Sequence, residues 1–251
     1  MTSTSPPLSS TETPAAELRD ASVIITGVGR RGQVGEVVAA AFAERGARLL
    51  LVDRDGDAVK ERASDLANHG SSAHAFNCDL TNPTEVAAVA ENMSAHAPSG
   101  VAAVVHMAGG YVDGAPVAET DPSSWHKLFA INLTTAFIST RAFLPLVRRA
   151  RGSMVYFASA ASLPGAAVKN MAAYAAAKGG VITLMRAVAA EERSNGVRAN
   201  ALAPQAIRTE TNLTSMGKEH EYVERETVAA WVLWLCSRAA GPVSGQVIRL
   251  G

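Results

Sequence analysis

From residue 21 onward, short apolar runs alternate along the chain with longer segments in which apolar residues recur every three or four positions. Short runs rich in Val, Ile and Leu are typical of buried parallel strands, and the longer segments are typical of crossover helices. The predicted strands are Ser22–Thr26, Ala47–Asp53, Ala73–Cys78, Val101–His106, Ser153–Ala158, Val197–Leu202 and Gln246–Leu250. The predicted helices lie near 33–45, 55–68, 82–96, 123–149, 171–194 and 226–238. Right-handed crossovers then give an α/β fold: an open, doubly wound parallel sheet of about seven strands with helices on both faces.

Composition narrows the class of protein. The 251 residues are 48% hydrophobic and 18% charged, which suits one sizeable domain over residues 20–251. Residues 1–19 are rich in Ser, Thr and Pro, and we expect them to form a disordered tail without a targeting signal, so the protein is expected to be cytoplasmic. The net charge of zero indicates neither a nucleic-acid nor a membrane partner. Cys78 and Cys236 lack ligand spacing, so we expect free thiols and no metal.

A glycine-rich turn separates the first predicted strand from the first helix, in the run from Gly27 to Gly35. Such a turn lets backbone amides and a helix N-terminus meet a pyrophosphate, as in Rossmann-type sheets. Asp53 closes the second strand, where a carboxylate accepts hydrogen bonds from an adenosine ribose, and this favours NAD(H). Arginines beside the turn keep NADP(H) open as an alternative, because guanidinium groups bind a 2'-phosphate. These are Arg30, Arg31 and Arg54.

Tyr174 and Lys178 stand four residues apart in a predicted helix and therefore share one face. A phenol titrates near pH ~10, and a neighbouring ammonium helps it to lose its proton. The spacing thus predicts a centre for proton transfer. Its neighbours from Ala172 to Gly180 are nearly all small, which leaves room for a ligand or another helix.

In order and spacing, these motifs resemble those of the short-chain dehydrogenases/reductases over nearly all of residues 21–251. The motifs are the glycine turn, Asp79-Leu80, Ala108-Gly109, Asn132-Leu133, Ser159, Tyr174 with Lys178, Asn200 to Pro204 with Thr209, and Ser244-Gly245-Gln246.

The resemblance implies an NAD(P)-dependent oxidoreductase that interconverts a carbonyl and an alcohol by hydride transfer. It implies four catalytic residues: Tyr174 as general acid/base, Lys178 as its partner, Ser159 as donor to the substrate oxygen, and Asn132 as anchor of a water relay. The implied cofactor-binding residues are Gly27, Arg30, Arg31, Gly32, Val34, Asp53, Arg54, Asp79, Leu80, Ala108, Gly109, Tyr174, Lys178, Pro204, Ile207 and Thr209. It further implies a homo-dimer or homo-tetramer formed through the helices near 123–149 and 171–194 and the last strand.

The chain departs from the family pattern at several positions. The glycine turn is longer than usual and has Gln33 in place of its penultimate glycine. Ser159 precedes Tyr174 by fifteen residues rather than thirteen, which leaves Ser162 as a second candidate. His106 replaces an asparagine and is expected to be packed rather than catalytic, and Gln205 replaces a glycine.

The segment from Glu210 to Val223 is shorter than the substrate lid of many relatives, so we expect an open pocket suited to a bulky or flat substrate. Together with Ala108-Gly109-Gly110-Tyr111, this segment is similar to dihydropteridine reductases, which gives a quinonoid-ring reductase as an alternative. The atypical residues leave a third reading, a catalytically silent dinucleotide-binding sensor.

Overall fold

A parallel sheet forms the centre of the molecule. The computed structural model describes residues 18–112 and 114–251, and within them seven strands pair in parallel in the order β3-β2-β1-β4-β5-β6-β7. The strands are β1 (Ser22–Thr26), β2 (Arg48–Asp53), β3 (Ala73–Asn77), β4 (Ala103–His106), β5 (Ser153–Phe157), β6 (Arg198–Pro204) and β7 (Val247–Leu250). The chain order reverses between β1 and β4, and ligands of open α/β sheets bind at the carboxyl ends of strands beside such a reversal.

Helices cover both faces of the sheet. They are α1 (Val34–Ala43), α2 (Gly56–Asn68), α3 (Pro83–His96), α4 (Pro122–Phe129), α5 (Thr135–Ala150), α6 (Ala172–Glu191), α7 (Glu210–Met216) and α8 (Arg225–Cys236). Along β1, Val23 and Ile25 face a core shared with α1 and α8, whereas Ile24 faces a core shared with α3, α5 and α6. Because both faces are buried, the strands are continuous apolar runs rather than alternating ones.

The predicted elements agree with the structure to within two residues at most ends, and the fold class is confirmed. Two differences concern the site. β6 continues through Ala203 to Pro204, two residues beyond the predicted end, and α7 was not predicted as a helix. Most of the expected disordered tail, residues 1–17, lies outside the described residues. Leu18, however, is buried among apolar side chains, so the packed chain begins before the predicted boundary at residue 20.

The helix predicted near 123–149 is interrupted. One turn of π-helix, Ala130–Thr134, lies between α4 and α5 and carries Asn132. Such turns accommodate one extra residue and are common at functional sites. Within the described residues, Pro122–Ala150 is long and apolar enough to span a membrane by length and composition alone, and in the structure it packs against the sheet.

Candidate active site

Tyr174 and Lys178 lie on the first turns of α6, beside the carboxyl ends of β4 and β5. The Lys178 Nζ atom donates a hydrogen bond of 2.8 Å to the carbonyl oxygen of Phe157, the last residue of β5, and lies 5.9 Å from the centroid of the Tyr174 ring. Lys178 is buried although it carries an amine, which is unusual for a lysine. The structure therefore brings the predicted pair together at the expected edge of the sheet.

The environment shifts the pKa of both groups. Burial lowers the pKa of the Lys178 ammonium to about 8. Burial also raises the pKa of the Tyr174 phenol; a hydrogen bond with Ser159 lowers it, and the nearby Tyr111 raises it further. The pKa of Tyr174 therefore shifts in the direction opposite to that expected from an adjacent ammonium. Desolvation has the largest effect, and the Lys178 amine is directed to the carbonyl oxygen of Phe157. Burial thus favours the protonated form of the phenol.

Ser159 rather than Ser162 is the hydroxyl that interacts with Tyr174. Ser159 follows β5 by two residues and caps a short 3-10 turn, where its Oγ accepts from the Ala161 amide at 3.2 Å. The Ser162 hydroxyl instead donates to the Ser159 carbonyl oxygen at 2.6 Å. This turn, Ala160–Ser162, lies in the segment between Ser159 and Tyr174 that is two residues longer than the family pattern.

Asn132 holds the backbone that follows β4. Its Oδ1 accepts from the Gly110 amide at 3.1 Å, and its Nδ2 donates to the carbonyl oxygens of Gly110 and Leu128 at 2.9 and 3.0 Å. Both amide protons are used, so a water anchored by this side chain has one Oδ1 lone pair left to it. A Cβ on Gly109 would lie 2.7 Å from Asn132 Oδ1 and 3.3 Å from Lys178 Nζ, so a glycine is needed for this close packing.

The glycine turn packs tightly against the end of β4. Gly27 has φ of +72°, and a Cβ there would lie 2.8 Å from the Ala108 backbone. Gln33 precedes α1 without capping it, whereas Asp55 and Asn82 cap α2 and α3 with their side chains. The first amides of α1 are therefore without a side-chain cap at the carboxyl edge, and a pyrophosphate fits this position.

Two carboxylates lie at the longer turn. Glu36 Oε2 accepts from the Gly32 amide at 2.8 Å, and Glu36 pairs with the buried Arg62 at 3.1 Å and with Arg225 at 3.7 Å. The Glu210 side chain packs on Gly32, and its amide donates to the Gly32 carbonyl oxygen at 3.1 Å. The partners of Glu36 come from α2 and α8 and leave no local pattern in the sequence, whereas its position in the first turn of α1 is a local signal.

Asp53 and Arg31, which bear on the choice between NAD(H) and NADP(H), both have partners within the protein. Asp53 accepts from the amides of Gly29 and Asp55 at 2.9 and 3.1 Å, which fixes its carboxylate at the end of β2. Arg31 donates to Glu61 and Asp65 on α2 at 2.7 and 2.9 Å. Arg31 thus forms ion pairs with two carboxylates at an exposed position, and its cofactor-binding role stays a prediction.

The other predicted cofactor-binding residues follow the carboxyl ends of the strands. Thr81 donates two hydrogen bonds to Asp79 Oδ1 after β3, which hold the pKa of Asp79 below its usual range. Thr209 caps α7 through a hydrogen bond of 3.2 Å from the Asn212 amide. Of the remaining positions, Val34 is the first residue of α1, and the others lie in the same loops or at strand ends: Arg30, Arg54, Leu80, Ala108, Pro204 and Ile207.

Two atypical residues have structural partners. The His106 ring stacks on Tyr156 with centroids 4.6 Å apart, its Nδ1 lies 3.0 Å from Ser139 Oγ, and burial lowers its pKa to about 3. It is packed as expected. The Gln205 amide donates to the Leu250 carbonyl oxygen at 2.9 Å, which extends the pairing of β6 with β7.

The lid is a short, closed loop. A parallel bridge between Ile207 and Val223 pins its base, and the Tyr222 hydroxyl donates to the carbonyl oxygens of Asn212 and Gly217 at 3.1 and 2.6 Å. α7 lies inside this loop and contacts the glycine turn through Glu210. The lid therefore connects the segment that follows β6 with the glycine turn that follows β1.

Comparison with known proteins gives the class of this one. A family model described as enoyl-(acyl carrier protein) reductase matches residues 27–250. The chain is 33% identical over 249 residues to galactitol 2-dehydrogenase (L-tagatose-forming) of Cereibacter sphaeroides, covering 93% of this chain and 94% of that protein. It is 32% identical over 203 residues to 2-(S)-hydroxypropyl-CoM dehydrogenase 3 of Xanthobacter autotrophicus, covering 80% and 76%.

A crystal structure from Beutenbergia cavernae, assigned as an NAD(P)-dependent gluconate 5-dehydrogenase and containing NADP at low occupancy, superposes with a TM-score of 0.84. Its sequence is 31% identical, and the match covers 94% of this chain and 97% of that one. The chain belongs to the short-chain dehydrogenase/reductase family. It is an NAD(P)-dependent oxidoreductase that acts on carbonyl and alcohol groups.

Proposed function

We propose that this enzyme reduces a ketone to a secondary alcohol, and catalyses the reverse reaction, with Tyr174 as the general acid/base. The observation that carries the proposal is the Tyr174, Ser159 and Lys178 cluster at the carboxyl edge of the sheet. The names of the relatives support a secondary alcohol or ketone as substrate. The raised pKa of Tyr174 favours the protonated phenol, which suits proton donation to a carbonyl oxygen at neutral pH.

Each residue has a distinct task in this proposal. The nicotinamide supplies or accepts the hydride at the substrate carbon. Tyr174 gives its proton to the substrate oxygen as charge builds there, and Ser159 donates a hydrogen bond to the same oxygen. Lys178, held by the Phe157 carbonyl, places a positive charge beside the phenol and favours the tyrosinate that remains. Asn132 positions the Gly109-Gly110 backbone against Lys178.

NAD(H) is the proposed cofactor, with NADP(H) as the alternative. The Asp53 carboxylate is fixed at the end of β2, where it would repel a 2'-phosphate, and Arg31 is already paired with two acids. The uncapped α1 N-terminus would bind the pyrophosphate. Titration with NADH and with NADPH checks the preference, and tighter binding of NADPH would contradict it without touching the role of Tyr174.

The decisive experiment is the variant Tyr174→Phe. We expect kcat to fall by about 10²–10⁴-fold, because the proton donor is lost, with NADH affinity retained. Tyr156→Phe is the matched control: it removes a buried hydroxyl bonded to Thr140, 2.9 Å away in the core, and should spare kcat. An unchanged kcat in Tyr174→Phe would exclude the assigned role. If the wild type binds NADH but turns over no carbonyl substrate, the catalytically silent sensor would be favoured instead.

A homo-dimer or homo-tetramer in the cytoplasm completes the proposal. Trp125 and Phe137 are exposed on the helices predicted to form the interface, which supports an association of subunits through them. Static light scattering that showed a monomer at micromolar concentration would contradict it.

A further inference from the structure

A second aromatic ring lies directly against the proposed proton donor. The rings of Tyr111 and Tyr174 meet edge to face, with centroids 5.2 Å apart and an interplanar angle of 81°. Tyr111 is also 49% exposed, so much of its surface is open to a ligand beside Tyr174. A substrate whose oxygen reaches the Tyr174 hydroxyl therefore lies next to the Tyr111 ring.

The backbone around Tyr111 is held on both sides. Before it, Gly110 is bonded at both its amide and its carbonyl by the Asn132 side chain. After it, Gly114 packs against the Asn170 carbonyl so closely that a Cβ would overlap that oxygen. The loop that carries Tyr111 therefore contacts the loop that leads into α6. Contacts within the fold therefore hold the backbone before and after Tyr111.

The nine residues that directly follow Ser159, residues 160–168, offer few polar groups, and the polar Lys169 and Asn170 lie only at the far end of this connection, next to α6. Residues 160–168 contain one polar side chain, Ser162, and its hydroxyl is already bonded to the Ser159 carbonyl oxygen at 2.6 Å. Val168, by contrast, is 40% exposed. Binding a linear polyol in this segment would leave several substrate hydroxyls without partners, which is costly. An apolar ring carries no such cost.

We propose that Tyr111 is a specificity-determining residue that packs its aromatic ring on a cyclic, mainly apolar ketone while Tyr174 reaches the ketone oxygen. The proposal rests on the proposed function and names its substrate class. Tyr111 contributes to binding the substrate ring and takes no part in proton transfer. The Tyr111 ring, not its hydroxyl, carries the effect.

The test measures initial rates with NADH as cosubstrate and with cyclohexanone or the linear polyhydroxy ketone erythrulose as substrate. We expect wild-type kcat/KM to be higher for cyclohexanone. Tyr111→Ala should raise KM for cyclohexanone roughly tenfold through loss of the ring contact, with little change in kcat. Tyr111→Phe should stay close to wild type because it keeps the ring. Trp234→Ala removes a comparably exposed ring from α8 and should change neither constant.

The possible outcomes distinguish the role of Tyr111 from the proposed function. A wild-type preference for erythrulose, or equal losses for both ketones in Tyr111→Ala, would overturn the inference and leave the proposed function standing. A fall in kcat with unchanged KM would also overturn it, since Tyr111 would then act in the chemical step. Turnover of neither ketone by the wild type would overturn the inference, whereas the proposed function is tested separately by Tyr174→Phe with a ketone that the wild type does reduce.

Discussion

Replacing Lys178 by methionine should stabilise the folded enzyme at pH 7 while removing its activity. The Lys178 side chain is 6% exposed, and one hydrogen bond of 2.8 Å to Phe157 connects its amine to the backbone. Methionine has a similar length and is apolar, so it fits the same space without a buried charge. Residues selected for function are often unfavourable for stability, and the role proposed for Lys178 would explain why a buried lysine is retained.

The size of the expected stabilisation follows from the pKa of Lys178. Burial lowers the pKa of Lys178 from 10.5 to about 8, which corresponds to roughly 3 kcal/mol against the charged form in the folded state. The methionine variant escapes this cost but leaves the Phe157 carbonyl without its donor, a loss of about 1 kcal/mol. The variant should therefore gain on the order of 2 kcal/mol in free energy of unfolding at pH 7.

The difference in free energy of unfolding between the methionine variant and the wild type should decrease as pH rises. Between pH 8 and 10.5 the unfolded lysine binds a proton that the folded lysine has released. Wild-type stability therefore rises with pH across this window from this group, because the unfolded state binds more protons. The methionine variant lacks the contribution, so its advantage should shrink above pH 8 and vanish before pH 10.5.

Urea unfolding at pH 7, 8, 9 and 10 measures the difference directly. Lys127→Met, at an exposed position on α4, is the matched control and should change stability little at any of these pH values. A methionine variant less stable than wild type at pH 7 would contradict this prediction. So would an advantage that stayed constant from pH 7 to pH 10.

Two further substitutions test the packing of the fold, one in the glycine turn and one between the C-terminal ends of α5 and α6. Gly27→Ala should destabilise by about 2 kcal/mol or more, since it combines a positive φ with a Cβ 2.8 Å from the Ala108 backbone. Gly70→Ala, with φ of +82° and nothing within 4 Å, isolates the backbone cost, so equal losses in thermal stability would contradict the packing argument. Arg148→Ala should cost about 2 kcal/mol, because Glu192 is 3% exposed and loses its bidentate partner, while the exposure of Arg148 limits the effect. That loss should disappear below the lowered pKa of Glu192, where protonation removes the charge, and urea unfolding across acidic pH would show it.

The sheet was predictable because its strands are buried on both faces. Runs such as Leu49 to Val52 have no polar interruption, and each is followed by a segment of helical period. The glycine turn, Asp53 and Tyr174 with Lys178 were found because their spacing is local or tied to strand ends. β6 was predicted too short because Pro204 ends an apolar run that a proline usually interrupts.

What the sequence did not predict depends on contacts between distant segments or on weak local signals. The contact of Tyr111 with Tyr174 joins residues 63 positions apart, and no pattern in either segment records it. The raised pKa of Tyr174 depends on burial, which spacing does not measure. α7 has seven residues and no apolar period, although Thr209 as its N-cap was a usable start signal.

The π turn at Ala130–Thr134 also sets the rotation of α5 about its own axis, because α5 continues directly from it. One residue advances an α-helix by about 100°, so without the extra residue the stripe of α5 that includes Phe143 and Val147 would point along the sheet rather than into it. The same residue count that sets Asn132 against Gly110 thus sets the facing of the 16-residue helix behind it. A deletion in this turn would misalign the site and the core together.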